Sequence, residues 1–196
     1  RSYAVLHADS HADKRGIDTA FLYDQGVFEV VPGTLFSHFV MRRTGTRDIT
    51  QVTFSSVEGG HEIVALANHW PSRSGGAAAE SAGFRAVAGE TLAYWHERIR
   101  EVVGAAMPIV AMGDLNDQPW DGSVCFNANA TREIGDVERA RSARFCNLAW
   151  RYMSSTVTDH QGHERTVDGT LYFKNDGNLF DQILVNRSLL NGEGNY

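Results

Sequence analysis

The sequence is poor in cysteine, with Cys125 and Cys146 as its only two among 196 residues. Neither lies in a Cys-x-x-Cys pair or a His-rich segment with metal-ligand spacing, which argues against a zinc site. The two thiols could pair only in an exported protein, because the cytosol keeps cysteines reduced. They therefore leave the compartment open.

Long apolar runs and an excess of basic residues are also lacking. No stretch approaches the roughly 20 apolar residues that a membrane-spanning helix needs, so no transmembrane segment is expected. The formal net charge of -6 argues against a broad basic surface for nucleic acid, although Arg42, Arg43 and Arg47 form a local patch that could attract a polyanion. The hydrophobic content of 42% is sufficient for one sizeable core.

What the sequence does contain is a polar cluster at the end of an apolar strand. Residues Met107 to Ala111 run into Met112-Gly113-Asp114-Leu115-Asn116-Asp117. Since alternate side chains of a strand share a face, Asp114 and Asn116 are expected to point the same way. A carboxylate there can accept a proton from water or hold a hard cation, and an amide can donate to a phosphoryl oxygen. A strand-to-turn cap is the structural alternative.

Two further strands carry residues of related chemistry. The strand from His61 to Ala67 runs into Asn68-His69-Trp70-Pro71-Ser72-Arg73, where His69 can serve as a general acid. The strand from Leu179 to Val185 contains Asp181 among large apolar residues. Because burying an unpaired carboxylate is costly, Asp181 is expected to have a partner.

These segments together resemble the endonuclease/exonuclease/phosphatase superfamily of metal-dependent phosphoesterases. Gly113-Asp114-Leu115-Asn116 is similar to the family's Gly-Asp-Phe/Leu-Asn signature, and Asn68-His69-Trp70-Pro71-Ser72 to its His-bearing loop. Phe180-Asp181-Gln182-Ile183 resembles its Asp strand, and Lys14-Arg15-Gly16-Ile17-Asp18-Thr19-Ala20 its Arg-Gly segment. The ordered set covers nearly the whole chain. The resemblance implies an α/β fold, a two-sheet sandwich formed by residues 1–196 as a single domain.

The resemblance also implies catalytic roles. Asp114 would orient or deprotonate the attacking water, Asn116 would bind the phosphate in the transition state, and His69 would protonate the leaving oxygen. Asp181 would hydrogen-bond the imidazole of His69 and raise its pKa. A magnesium ion, or manganese in its place, would be held by Asp114 and Asn116.

Further residues are predicted to contact the substrate. Arg15 is a candidate phosphate contact because a guanidinium matches two phosphate oxygens, and a solvated charge at a strand end is its structural alternative. Asn68, Trp70 and Arg73, which flank His69 in the loop, are the other predicted substrate-binding residues.

The sequence departs from the family pattern at both ends. Nothing before Arg15 supplies the family's Asn strand or the Glu that ligates magnesium, and the chain stops at Asn195-Tyr196 before the family's Asp-His strand. Asp159-His160 precedes Gln161-Gly162 in a polar stretch and is interpreted as a loop. The chain is therefore expected to form an incomplete sandwich, whose missing segments another chain could supply.

Three functions stay open on this reading. The principal hypothesis is a metal-dependent phosphodiesterase or endonuclease, with DNA or RNA as the polyanionic partner. The alternatives are a phosphoesterase acting on a small molecule or a lipid, and a catalytically inactive binding module of the same fold.

Periodicity predicts the elements that carry these motifs. One long helix is expected from about Ala78 to Val103, with His96 on its polar, solvated side, and a second helix over Arg139 to Arg151. Strands are predicted over Asp18–Tyr23, Val27–Val31, Phe36–Met41, Ile49–Val57, His61–Ala67, Ile109–Met112, Thr170–Phe173 and Leu179–Val185.

Overall fold

The computed structural model describes residues 1–11, 13, 15–42, 46–73, 78–173 and 176–190, so Arg43 of the predicted basic patch lies outside the described residues. The strands of the described chain are β1 (Tyr3–His7), β2 (Ala20–Asp24), β3 (Phe28–Val30), β4 (Phe36–His38), β5 (Ile49–Ser56), β6 (Glu62–His69), β7 (Ile109–Asp114), β8 (Ala130–Thr131), β9 (Phe145–Asn147), β10 (Thr156–Thr158), β11 (Glu164–Thr166), β12 (Leu171–Phe173), β13 (Asp176–Asn178) and β14 (Asp181–Val185). The helices are α1 (Ala78–Val102), α2 (Ile134–Arg139) and α3 (Arg187–Leu190), with a π-helical segment at Ser123–Asn127 and a 3-10 segment at Leu148–Ser154.

The central sheet has eight strands in the order β3-β5-β6-β7-β14-β9-β8, with β4 paired to β5. Its middle strands β6 and β7 run parallel, whereas β14 is antiparallel to β7. Because a parallel pair requires a crossover connection, helix α1 links β6 to β7. This arrangement confirms the α/β class predicted from the sequence.

The two faces of the central sheet are covered by different layers. On one face Val64, Leu66 and Ile109 pack with Leu92 and Ile99 of helix α1 in the main core cluster. On the other face Val52, Phe54, Ala65 and Ala67 pack against Phe21 of the β1–β2 pair. A strand buried between two layers has no solvated face, which explains why β6 is continuously apolar from Ile63 to Ala67 rather than alternating.

The long helix is confirmed almost to the residue, because α1 spans Ala78–Val102. The second predicted helix is wrong over most of its length, since Phe145–Asn147 is strand β9, which pairs with both β14 and β8. Phe145 and Cys146 are buried, and the continuity of the sheet therefore outweighs the helical periodicity of this stretch. No described helix combines the length and apolar character needed to cross a bilayer.

Candidate active site

The pairing register brings three of the predicted catalytic residues to one row of the central sheet. His69 and Asp114 are partners in the parallel β6–β7 ladder, and Asp181 is the partner of Asp114 in the antiparallel β14–β7 ladder. Neighbouring strands lie about 4.8 Å apart, so side chains in one row can interact directly. The Nε2 atom of His69 lies 3.7 Å from Oδ2 of Asp114.

Strand alternation then determines the face on which these side chains lie. Ala65 and Ala67 pack toward the β1–β2 pair, and His69 follows them at the same two-residue interval. His69 and Asp114 accordingly line a depression of about 210 Å³ together with Thr19 and residues of β2. The depression is open enough to leave the side chains of His69 and Asp114 39% and 30% exposed.

Gly113 permits the close approach of the two strands beneath this depression. Its φ of 137° lies in the range that side chains rarely adopt, and a Cβ added there would lie 1.9 Å from the carbonyl oxygen of Asn68. Only glycine fits this position. The first residue of the Gly-Asp-Leu-Asn signature therefore sets the distance between the ends of β6 and β7.

Asn116 does not follow the strand alternation expected from the sequence. Strand β7 ends at Asp114, and Asn116 has a φ of 51°, in the left-handed region that asparagine tolerates better than most residues. Its backbone N–H donates to Oδ1 of Asp114 at 2.8 Å, and its Nδ2 donates to the carbonyl oxygen of Trp70 at 3.0 Å. Asn116 therefore tethers the His69 loop to the Asp114 turn, and the cap considered as an alternative is part of its role.

Asn68 and Trp70 are buried, at 3% and 2% exposure, although both are predicted to contact the substrate. Nδ2 of Asn68 donates to the carbonyl oxygen of Leu66, and the indole Nε1 of Trp70 donates to Oδ1 of Asn68, each at 3.0 Å. These bonds and their burial speak against direct contact with a substrate. The pair instead fixes the backbone on both sides of His69.

A buried arginine that the sequence suggested only for a surface patch lies directly behind His69. Arg47 is 7% exposed, and its guanidinium donates to the carbonyl oxygens of His69 at 3.1 Å and of Trp70 at 3.4 Å. Burial and the nearby Arg15 lower the pKa of Arg47, which Asp13 and Asp114 partly offset. The signal in the sequence is a charged pair, Arg47-Asp48, placed directly before the buried strand β5.

The electrostatics of His69 differ from the sequence prediction. Burial and the charge of Arg47 lower its pKa below the usual 6.5, while Asp114 and, more weakly, Asp181 act in the opposite direction. Among the described residues, no hydrogen bond joins the imidazole of His69 to Asp181. Asp181 does act to raise the pKa of His69, as predicted, but its effect is weaker than that of Asp114, and burial together with Arg47 makes the net shift downward.

Arg15 lies at the exposed side of this region and is held by Asp13. Its Nε donates to Oδ1 of Asp13 at 2.9 Å, and its Nη2 lies 2.5 Å from Oδ2. This contact lowers the pKa of Asp13 to about 2, so that the carboxylate is charged at neutral pH. The charge of Arg15 also contributes to lowering the pKa of His69, which places the guanidinium within electrostatic reach of the imidazole.

Arg73 belongs to a buried ionic network rather than to the depression. Its guanidinium donates to Oδ1 of Asp117 at 2.6 Å and to Asp121, and lies 4.8 Å from the ring centroid of Phe180. Arg85 approaches the second oxygen of Asp117 at 2.8 Å. Asp117 is 5% exposed, and its charge is balanced by Arg73 of the loop after β6 and by Arg85 of α1, which hold the turn after β7 against both elements.

The donor set at Asp114 is compatible with a divalent cation. Oδ2 of Asp114 accepts no hydrogen bond, and Oδ1 of Asn116 has no partner within the described ranges, so a carboxylate oxygen and an amide oxygen are available. Magnesium typically takes one or two protein carboxylates and completes its octahedron with waters and substrate phosphate. Asp114 and Asn116 therefore offer the kinds of oxygen that such a site uses, with Asp114 in the depression and Asn116 in the turn that follows it.

A second set of potential ligands lies at the end of the β1–β2 pair. The ligand atoms of His7, Asp9 and Asp18 lie within 4.8 Å of one another, the one such group found in the described residues. Asp18 already accepts a hydrogen bond from the backbone of Ser10 at 2.7 Å. Asp159-His160, in contrast, lies in the turn between β10 and β11, where the carboxylate contacts Arg165 at 2.7 Å, as the loop interpretation predicts.

Several solved structures share this fold. The chain is similar to the human Nocturnin catalytic domain with bound sulfate anion, at a TM-score of 0.58 and 15% identity over 94% of this chain and 61% of that one. It is similar to D. rerio TDP2 complexed with single strand DNA product, at a TM-score of 0.56 and 12% identity over 94% and 62%. A third match is the Bacteroides thetaiotaomicron mannosyl-6-phosphatase Bt3783, at a TM-score of 0.53 and 15% identity over 95% and 63%.

The chain spans less than two thirds of the length of each of these proteins, and at such identities the similarity shows the fold alone. No curated protein matches the chain. The family model described as "Endonuclease/Exonuclease/phosphatase family" matches residues 1–196. Since that match extends over every motif placed at the depression, the chain belongs to the endonuclease/exonuclease/phosphatase family.

Proposed function

We propose that this protein is a metal-dependent phosphoester hydrolase, and specifically a phosphodiesterase or endonuclease. The observation that carries the proposal is the row formed by His69, Asp114 and Asp181 on three adjacent strands at the depression. The family contains phosphoesterases and nucleases, which supports hydrolysis as the reaction class.

Asp114 is assigned to the attacking water and His69 to the leaving oxygen. The open carboxylate oxygen of Asp114 would orient the attacking water and accept its proton, and His69 would donate a proton to the leaving oxygen. The two groups already lie within 3.7 Å of each other, so the substrate phosphate would have to sit above them rather than between them. Asp181 would add negative charge that favours the protonated imidazole.

The charge around the depression suits a phosphate. Arg47 lies beneath the backbone of His69, and Arg15 lies on the exposed side. Of these two cations, Arg15 is the one that can reach a ligand, because Arg47 is buried. A guanidinium already oriented by Asp13 loses little freedom when it binds a phosphate oxygen.

Family members generally depend on a divalent metal, and Asp114 with Asn116 are the residues assigned to hold magnesium or manganese here. Such an ion would neutralise charge on the phosphoryl oxygens. The protein groups keep their own tasks, which are to position the water, to hold the phosphate and to supply the proton.

A small-substrate phosphoesterase is the second candidate, and two observations favour it. The depression measures about 210 Å³, which matches a single phosphate ester better than an extended strand. The formal net charge of -6 would also repel a long polyanion. An inactive binding module of the same fold would retain phosphate binding without turnover.

The test assays the purified protein on plasmid DNA, an RNA oligonucleotide, a nucleoside monophosphate and a chromogenic bis-phosphate ester, each with magnesium, manganese or a chelator. His69→Gln and Asp114→Asn should lower kcat by a factor on the order of 10² to 10⁴. His61→Gln, at the opposite, exposed end of the same strand region, is the matched control and should retain full activity.

The pattern of substrates separates the candidates. Cleavage of DNA or RNA that both variants lose supports the nuclease, and cleavage of small esters alone supports the second candidate. Absence of turnover on every substrate, with phosphate still bound, would replace both by the binding module.

A further inference from the structure

A second cavity, of about 510 Å³, lies at the other end of the central sheet. It is formed where helix α1 ends, where β7 begins and where β14 passes into α3. Strand β7 has six residues and rises about 3.3 Å per residue, so roughly 17 Å of strand separates this end from Asp114. The cavity is therefore distinct from the depression at His69.

The charge that lines this cavity is all of one sign. Arg100, Arg144 and Arg187 contribute to its wall, and no carboxylate of the described residues does. Glu97 contacts Arg100 at 3.3 Å and accepts the backbone N–H of Ala143 at 2.6 Å. Within the described residues, Arg144 and Arg187 therefore have no ion-pair partner, in a chain whose formal net charge is -6.

The three arginines differ in how firmly hydrogen bonds hold their guanidinium groups. Arg100 donates to the carbonyl oxygen of Arg141 at 2.8 Å, and Arg144 donates to Oδ1 of Asn129 at 3.1 Å. These bonds hold two of the guanidiniums in place. Arg187 is exposed and has no hydrogen bond or ion pair within the described chain, which leaves all its donors available.

A buried histidine supplies the second, independent observation. His96 is 3% exposed, and its ring stacks on Phe145 with centroids 3.9 Å apart, yet it lines the cavity. Its nitrogens have no hydrogen-bond partner among the described residues. Because His96 lines the cavity, water or a ligand in the cavity can supply the partner that the protein does not.

The chemistry of His96 and its neighbours fits an acceptor-rich ligand. Burial and the charge of Arg100 hold the pKa of His96 at about 3, so the imidazole is neutral and offers one N–H donor. Ser142 adds a hydroxyl group to the same wall, whereas the hydroxyl of Ser188 donates to the carbonyl oxygen of Ala105 at 3.3 Å. Guanidiniums, a hydroxyl and an N–H donor together satisfy the oxygens of a phosphate.

The scaffold around the cavity is rigid. Asn186, immediately before Arg187, accepts the backbone N–H of Ile109 at 3.0 Å and donates to the carbonyl oxygen of Met107 at 2.8 Å. The start of β7 and the end of β14 are therefore fixed to each other. A preformed wall binds a ligand without having to order its own backbone.

We propose that this cavity is a binding site for a small phosphate-bearing anion, separate from the catalytic depression. Its volume lies within the range of about 300 to 1,000 Å³ that is common for small-molecule sites. The site would bind the terminal phosphate between Arg187 and Arg144, with His96 donating from the buried end. This proposal does not depend on the catalytic function assigned to His69.

The experiment titrates inorganic phosphate, and then a nucleoside monophosphate, into the protein by isothermal calorimetry in a phosphate-free buffer at constant ionic strength. Arg187→Gln removes the free guanidinium, and Arg144→Gln removes a second one. Arg98→Gln, on the exposed side of α1 where Arg98 pairs with Glu101, is the matched control. Saturable binding should weaken about tenfold or more in the first two variants and stay unchanged in the control.

Two further measurements separate this site from its alternatives. The imidazole resonances of His96 should shift on addition of phosphate in the parent protein and in His69→Gln, and should stay unmoved in Arg187→Gln. Binding that is lost in His69→Gln but retained in Arg187→Gln would assign the phosphate to the catalytic depression and overturn the proposal. A short oligonucleotide that binds more tightly than the monophosphate, with the same loss in Arg187→Gln, would replace the small ligand by nucleic acid.

Discussion

The carbonyl oxygen of Asn68 lies where a Cβ atom of residue 113 would stand, with only 1.9 Å between the two positions. Asn68 and Gly113 are partners in the parallel β6–β7 ladder, one residue before His69 and Asp114. The spacing of His69 and Asp114 is therefore set by a contact between two backbones that leaves no room for a side chain at residue 113.

Gly113→Ala should destabilise the protein by about 3 kcal/mol or more and abolish activity, because the methyl group forces β6 and β7 apart. Urea unfolding measures the first effect and turnover the second. Gly83→Ala is the control, since Gly83 lies in α1 with open space around its Cα. There the free energy of unfolding should rise by about 0.5 to 1 kcal/mol, and a similar gain for Gly113→Ala would contradict the assigned contact.

Asp117→Asn should lower the free energy of unfolding by roughly 3 to 5 kcal/mol, because it leaves the buried Arg85 without its counter-charge, while Arg73 keeps its contact with Asp121. Asp136→Asn is the matched control, as Asp136 pairs with the exposed Arg139 at 2.9 Å. An exposed pair of this kind contributes about 0 to 1 kcal/mol. Chemical denaturation measures the free energy of unfolding of both variants. Equal decreases would show that burying the network does not strengthen its contribution to stability.

The pKa of His69 should lie below 6.5 and should fall further in Asp114→Asn, since the Asp114 carboxylate stabilises the protonated imidazole. Asp181→Asn should lower it less. Proton-detected NMR of the imidazole measures both shifts. A larger shift in Asp181→Asn would restore the hydrogen bond that the sequence predicts between these two residues.

The lowered pKa of His69 also predicts how turnover depends on pH. If His69 donates the proton, kcat/KM should fall as the pH rises through its lowered pKa, because the protonated fraction of the free protein decreases. A pH–rate profile of the parent protein tests this, with the Asp114→Asn profile displaced to lower pH. A profile that keeps rising through the neutral range would instead make the neutral imidazole the active form.

Stability should depend on pH through His96, whose pKa of about 3 in the folded protein lies below the value of 6.5 expected when it is unfolded. Between those values the unfolded chain binds one more proton, so stability is retained above pH 6.5 and lost as the pH falls. The slope is about 1.4 kcal/mol per pH unit for this group. In phosphate-free buffer, the free energy of unfolding of His96→Phe should depend on pH less steeply than that of the parent protein, by about 1.4 kcal/mol per pH unit. Equal slopes would contradict the assignment.

Much of the fold could be predicted from the sequence because its signals are local. The spacing of Ala88, Leu92 and Ile99 predicts helix α1, and the apolar runs before His69 and Asp114 predict strands β6 and β7. The order of the motifs along the chain then predicts that the ends of these two strands lie side by side. The row of His69, Asp114 and Asp181 follows from pairing alone.

The remainder depends on contacts that leave no local pattern. His96 lies at a position that looks polar along the helix, but strand β9 places Phe145 against it. Arg47 can be buried because its guanidinium donates to carbonyl oxygens at the end of β6. The sequence neighbours of Asn116 and Arg73 predict contacts with the phosphate and the substrate. In the fold, however, the main partners of these two residues belong to distant loops and turns.

The parallel pairing of β6 and β7 has a consequence for how the protein folds. Two parallel neighbours cannot close as a hairpin, because the chain between them must cross over through α1. The imidazole and the carboxylate therefore become adjacent only after a non-local loop closure, with its entropic cost, has been completed. Catalytic competence should appear together with the last cooperative step of refolding, and partly folded chains should be inert toward phosphoesters.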